Sequence, residues 1–324
     1  MMGTTRWFKF LLFVSLLFLC SSTLSAVSAQ TKGTMAYSSL GGQMTGVWMA
    51  KEIGAFEKYG IQTDLLYISS GPMVVAALLG GDLHAGVAAT TAFVSAVLRG
   101  ASLISVVSTS NRPSHTLWVQ PEINRLEDLR GKTLGVTRFG SVTDNLTRIL
   151  LRKNGLEGSV HIRQLGGMPE VGAAFQQRVI TGAVTSGLRA DVPMRMLVKL
   201  ADMGIPYSMD VIVFSRDYHR RSPQTVEGLV RAYVEGVAAI HHQKEKALKI
   251  FAKYTRLNNP KMLEDLYQES VTFLERIPRV EPEAVSTIIE FTGKTGVSLE
   301  SFVDNSIVDR LVREGFIDKL YKKR

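Results

Sequence analysis

Five short segments rich in serine, threonine and glycine carry most of the chemistry this sequence offers. They are Ser38-Ser39-Leu40-Gly41-Gly42, Ser69-Ser70-Gly71-Pro72, Ala89-Thr90-Thr91, Thr109-Ser110-Asn111 and Arg138-Phe139-Gly140-Ser141. Each follows a run that reads as a β-strand. Hydroxyls and glycines there cap helices and leave first-turn amide N–H groups facing outward, where they attract anions and other acceptor atoms. A single loop of this kind is ordinary capping. Five in series also describe the rim of a crevice, since ligands of open parallel sheets sit beyond the carboxyl ends of the strands. The two readings are compatible.

Ser141-Val142-Thr143-Asp144 has the form of a capping box, with Val142, Leu146, Ile149 and Leu150 tracing the buried face of the helix that follows. Asp144 adds negative charge at that helix start, against a simple anion site, and Arg138 and Arg189 supply the opposite charge. Either arginine alone also suits a surface ion pair, which contributes little. Phe93 lies inside a helical run and reads as core, whereas Tyr37 and Phe139 lie at strand ends, where core and cleft are both open to them. Hydroxyl-lined helix starts with two arginines favour a small anionic or strongly polar acid, such as a sulfonate or carboxylate. Tyr37, Phe139 and Asp144 keep a cationic or heteroaromatic ligand in play.

Catalysis finds little purchase. His241 and His242 are adjacent on a helix and point in different directions, and His84 and His115 show no metal-ligand spacing to another His or Cys. No GxxxxGK, GxSxG or HExxH segment occurs. No metal or cofactor is implied.

The elements that must position these loops alternate. Strands are expected at Thr34–Ser38, Ile61–Ile68, Leu83–Ala88 and Leu103–Val107, with helices at Gly42–Glu52, Pro72–Leu79 and Ala92–Leu98 between them. A second series has strands at Thr133–Thr137, Val160–Gln164, Thr181–Thr185 and Arg195–Ala201, with helices at Val142–Asn154 and Pro169–Val179. Beyond a strand at Asp210–Ser215 the chain reads as helical, over about Pro223–Tyr254, Pro260–Glu275, Pro282–Thr295 and Ile307–Tyr321. The fold class is α/β: two lobes, each a mostly parallel sheet flanked by helices, with a helical C-terminal region. Lobe one is expected over 31–119 plus 209–324 and lobe two over 120–208. Crossings near Thr116–Pro121 and Ser208–Ser215 would form a hinge.

Arg6 and Lys9, the apolar run Phe10–Leu19 and the small residues through Ala29 have secretory form, with Val27 and Ala29 placed for a cut before Gln30. The expected product, starting after 1–29, is exported to the periplasm. Lipidation at Cys20 is the minor alternative, because Leu19 precedes it. Cys20 is the single cysteine of the chain, so an exported form cut after Ala29 has none. The formal charge is +9, and removing Arg6 and Lys9 leaves +7, spread along the chain apart from Lys322-Lys323-Arg324. No basic run is interleaved with aromatics, which argues against nucleic-acid binding.

Three segments carry a family resemblance. Ala50 to Ile61 (AKEIGAFEKYGI) resembles a helix-turn ending GxFxKxGL before a second strand, Ala77 to Gly86 (ALLGGDLHAG) resembles aLxxGxxDxg, and Asp128 to Val136 (DLRGKTLGV) resembles dLkGKxvgv. Together they are similar to the substrate-binding proteins of sulfonate, taurine, nitrate and thiamine-pyrimidine ABC importers. His84-Ala85 departs from the family's usual Asp, a change read as structural. The resemblance implies a type II periplasmic binding protein fold, a monomeric solute-capturing component, and permease and ATPase partners in the membrane. By matching loop positions it suggests Ser38, Ser39, Ser70, Thr90, Thr91, Ser110, Ser141 and Arg189 as cleft residues. Enzymes on this fold are the rival class. Fungal pyrimidine synthases carry a Cys-rich iron motif that is missing here, and menaquinone-pathway lyases need no leader. A sensor or docking module is a third possibility.

Overall fold

The computed structural model describes residues 31–322 apart from Arg189, Gly293 and Thr295. The expected leader, its cut after Ala29, and Cys20 lie outside the described residues.

Strands β1 (Thr31–Tyr37), β2 (Ile61–Tyr67), β3 (Ala85–Ala89), β4 (Leu103–Ser108), β5 (Thr116–Val119), β6 (Thr133–Val136), β7 (His161–Gln164), β8 (Gly182–Thr185), β9 (Arg195–Lys199) and β10 (Asp210–Ser215) form two five-stranded sheets. The first has the order β2-β1-β3-β10-β4 and the second β7-β6-β8-β5-β9. In the first, β2, β1 and β3 are parallel, and β10 runs antiparallel to both neighbours. In the second, β7, β6 and β8 are parallel, and β5 is the antiparallel strand. Each sheet is thus mixed, yet all its strands but one share a direction. The expected α/β class with flanking helices is borne out. Strands β3, β4 and β8 are buried throughout, as expected for strands covered on both faces.

Two expectations about the crossings are corrected by the strand pairing. Thr116–Val119 is not a connection but β5, paired with β8 and β9, so the chain passes between sheets over residues 109–115. β10 lies wholly in the first sheet, so the return passes through residues 200–209. These two segments are bonded side by side: Tyr207 N–H donates to the Asn111 carbonyl at 3.0 Å and Met209 N–H to Ser110 at 2.9 Å. The reason β5 escapes a sequence reading is its shortness and its position directly after a buried histidine.

The helical tail differs in detail. Pro223–His242 and Lys244–Thr255 are separate helices, broken where Gln243 leaves helical geometry (φ −131°, ψ 56°). The last stretch splits into Ser306–Arg313 and Phe316–Tyr321 at Gly315, whose φ is 64°. Thr45–Glu52 crosses Pro223–His242 at backbone contact. A Cβ on Gly236 would stand 2.3 Å from the Gly46 carbonyl oxygen and 2.7 Å from the Ala50 nitrogen, so only glycine allows the approach. Trp48 stacks on Tyr254 with centroids 5.1 Å apart, and Phe93 meets Phe302 edge-on at 6.2 Å. A continuous buried cluster then runs from Phe93 and Val94 of Thr90–Leu98 to Leu146 and Leu150 of Val142–Lys153.

Candidate functional site

A cavity with an empty volume of about 610 Å³, part of it open to solvent, lies between the carboxyl ends of the two sheets. The first sheet contributes Ser38, Ser39, Gly41 and Gln43 after β1, Tyr67 ending β2 with Ser69, Ser70 and Gly71 after it, Ala89 ending β3, and Asp210 opening β10. The second contributes Thr137, Ser141, Val142 and Thr143 after β6, Met168, Thr185 ending β8 and Ser186 after it. His115 enters from the crossing segment.

The local chain explains why several of these groups point inward. Ser141 caps Val142–Lys153, accepting from Asp144 N–H at 3.3 Å. Its Oγ belongs to a triangle of hydroxyls with Thr137 at 3.0 Å and Thr143 at 2.9 Å. The Val142 and Thr143 amides lie in the first turn, where no helical carbonyl reaches them. Asp144 adds no free charge: its carboxylate accepts from Gly140 N–H at 2.8 Å and from Arg148 at 2.8 Å. Across the cavity, Gly71 opens the helix Gly71–Gly80 so close to β3 that a Cβ would stand 2.6 Å from the Ala89 nitrogen. Ser70 precedes it with φ 82°, a left-handed conformation costing a non-glycine residue about 1–3 kcal/mol, and its buried Oγ has no protein partner.

Of the residues expected at the site, Ser38, Ser39, Ser70 and Ser141 line the cavity. Others are engaged elsewhere. Thr90 is buried and shares a hydrogen bond with Ser208 at 3.0 Å. Thr91 donates to the Gly140 carbonyl at 2.8 Å, joining the two halves. Ser110 donates to the Arg112 carbonyl at 2.9 Å within the crossing. Arg138 is not among the lining residues, and Arg189 lies outside the described residues. Tyr37 is core, edge-on to Trp48 at 5.5 Å, and so is Phe93. Phe139 is 52% exposed, with the Arg148 guanidinium 5.7 Å above its ring. His84 is structural, its Nδ1 accepting from Thr34 N–H at 3.0 Å.

Sequence reasoning missed Gln43, His115 and Asp210. All are nearly enclosed (4%, 8% and 5% exposed), and Gln43 Oε1 and His115 Nδ1 have no protein partner. Burial pulls the His115 imidazole down to about 3, so it is neutral near pH 7. Burial pushes the Asp210 carboxyl up to about 7, although a 3.3 Å hydrogen bond from Ser38 works the other way. One sequence signal for Asp210 existed: it is an acid heading an otherwise buried apolar strand. Among the described residues no Lys or Arg lines the cavity.

Two sheets joined by paired crossings, with a cavity at their facing carboxyl ends, define the periplasmic binding protein fold. Solved structures agree. The ligand-binding component of an ABC-type import system from Staphylococcus aureus is 13% identical with a TM-score of 0.71, the alignment covering 86% of this chain and 98% of the other. The periplasmic aliphatic sulphonate binding protein SsuA from Escherichia coli is 19% identical (TM-score 0.65, 88% and 93% covered). The periplasmic nitrate-binding protein NrtA from Synechocystis is 14% identical (0.64, 88% and 88%). At these identities the likeness speaks for the fold. No curated protein matches the sequence. Residues 42–247 match the family described as NMT1/THI5 like, and the chain belongs to that family.

Proposed function

We propose that this protein is the extracytoplasmic solute-binding component of an ABC importer. It holds a small polar organic solute between its two sheets without chemically changing it, and presents the closed form to a permease and its ATPase. The observation that carries this reading is the cavity itself. Gln43, Ser70 and His115, each with a buried polar atom that has no partner, line a space shared by both sheets, and buried polar groups without partners are costly unless a ligand satisfies them. The three solved neighbours above are named as binding components, which supports the same reading.

An acidic group of the solute, a sulfonate or carboxylate, fits the Ser141–Thr143 end. There the first-turn amides of Val142 and Thr143 offer donors, and Arg148 already neutralises Asp144. Residues 31–108 with 210–324 would act as one lobe and 116–199 as the other, hinged at residues 109–115 and 200–209. Closure is driven only by contacts made in the closed state. Calorimetry with a panel of small organic acids, paired with small-angle scattering, tests this. One-to-one binding with compaction is expected; no binding and no compaction across the panel would overturn it.

A further inference from the structure

The first-sheet wall of the cavity includes acceptors, and a hydrogen-bond chain fixes one of them. Ser114 Oγ donates to the Glu269 carboxylate at 3.3 Å, and a carboxylate can only accept. Having spent its proton there, Ser114 Oγ accepts from Gln43 Nε2 at 3.1 Å. The amide of Gln43, a residue that lines the cavity, is thereby oriented with Nε2 on Ser114 and Oε1 buried and unpartnered. Nearby on the same wall, Ser38 directs its hydroxyl proton at Asp210 Oδ1, leaving its own oxygen as another acceptor.

Asp210 is a buried carboxyl that no described Lys or Arg reaches in the cavity. A buried carboxylate needs a cation or a proton, because its charge in a low-dielectric site is otherwise strongly unfavourable. Helix starts on the far side repel positive charge and attract negative. The two ends of the cavity therefore ask for opposite groups.

We propose that Gln43 and Asp210 form an acceptor subsite that holds a cationic N–H group of the solute, opposite the acid-binding end at Ser141–Thr143. This rests on the solute-binding reading above and narrows it to small solutes that carry both charges. Ser114 and Glu269 act at one remove, as positioning residues that keep Gln43 Oε1 turned inward. Neutral His115 adds no competing positive charge.

Matched probes test the proposal: γ-aminobutyrate against butyrate, and 3-aminopropane-1-sulfonate against propane-1-sulfonate, by calorimetry on the intact protein at pH 7.5. The amine-bearing member of at least one pair is expected to bind at least about tenfold more tightly, as loss of one partner of a buried charge pair predicts. Asp210→Asn should reduce that preference to within about twofold. Gln43→Met should lower the preference as well, and it keeps the proposal testable if Asp210→Asn fails to fold. Ser114→Ala, which frees the amide to turn over, should weaken the amine-bearing probe and spare the amine-free one. Equal affinity within both pairs, or a preference that survives Asp210→Asn, overturns this subsite and leaves solute binding standing. If neither member of either pair binds, the subsite is overturned as well; silence across the wider acid panel would take the solute-binding reading with it.

Discussion

Thr91 Oγ1 donates across the cleft to the carbonyl of Gly140 at 2.8 Å, fastening a helix start of the first sheet to the turn after β6 of the second. Thr91 was expected among the ligand contacts; its hydroxyl instead joins the two halves. Asn145 strengthens the same seam, accepting from the Tyr207 hydroxyl at 2.9 Å. The two halves thus share bonds of their own, separate from those a solute would make.

Thr91→Val keeps the shape and removes the bond. A typical intramolecular hydrogen bond contributes about 1 kcal/mol, so solute affinity should fall about fivefold. Scattering of the solute-saturated variant should remain compact, because the remaining contacts still favour closure. An affinity equal to that of the wild type would show that the Thr91–Gly140 bond is irrelevant to the closed state.

Ser70→Gly sets stability against binding. Glycine relieves the positive φ of 82° but loses the buried, unpartnered Oγ of a residue that lines the cavity. The left-handed strain of about 1–3 kcal/mol exceeds the loss from the more flexible unfolded chain, about 0.4–1 kcal/mol. Urea unfolding should therefore show a variant more stable by about 1 kcal/mol, and calorimetry should show one that binds more weakly. A gain in both, or a loss in both, would contradict a strained serine held for its hydroxyl.

Asp210 and His115 give opposite pH dependences of stability. The Asp210 carboxyl is raised from 3.8 to about 7 on folding, so its contribution is full below the unfolded value and lost as pH rises toward 7. The His115 imidazole is lowered from 6.5 to about 3, so the unfolded chain takes up a proton that the folded protein refuses. Its contribution is full above the unfolded value and is lost as pH falls toward 3. Between about pH 4 and 6.5 the two slopes oppose each other and largely cancel. Asp210→Asn should unmask a stability that rises with pH by up to about 1.4 kcal/mol per unit, and His115→Gln one that falls. Urea midpoints at pH 4.5, 5.5 and 6.5 check this; parallel profiles for both variants and wild type would contradict the buried, uncharged pair.

Much of the architecture was legible because hydrophobic periodicity and glycine stops mark it directly. Ile61 to Tyr67, Val142 to Lys153 and Asp210 to Ser215 fall where the residue pattern places them. The site was legible only in part. A hydroxyl after a strand reads the same whether it faces a cavity, as at Ser38 and Ser141, or bonds to another segment, as at Thr90, Thr91 and Ser110. Gln43 was invisible for a different reason. Its role is fixed by Ser114 and Glu269, 71 residues and far more along the chain, and no local spacing records such a triad. β5 was lost because four residues, half of them only partly buried, leave too short a period to recognise.

Native mass spectrometry of the protein purified without refolding tests the central claim most directly. The account predicts one small molecule per chain, either carried through purification or added from the panel of small acids, and its loss when Ser141→Ala and Asp210→Asn are combined. A bare protein mass under every condition, with no solute adding to it, would contradict a binding site between the two sheets.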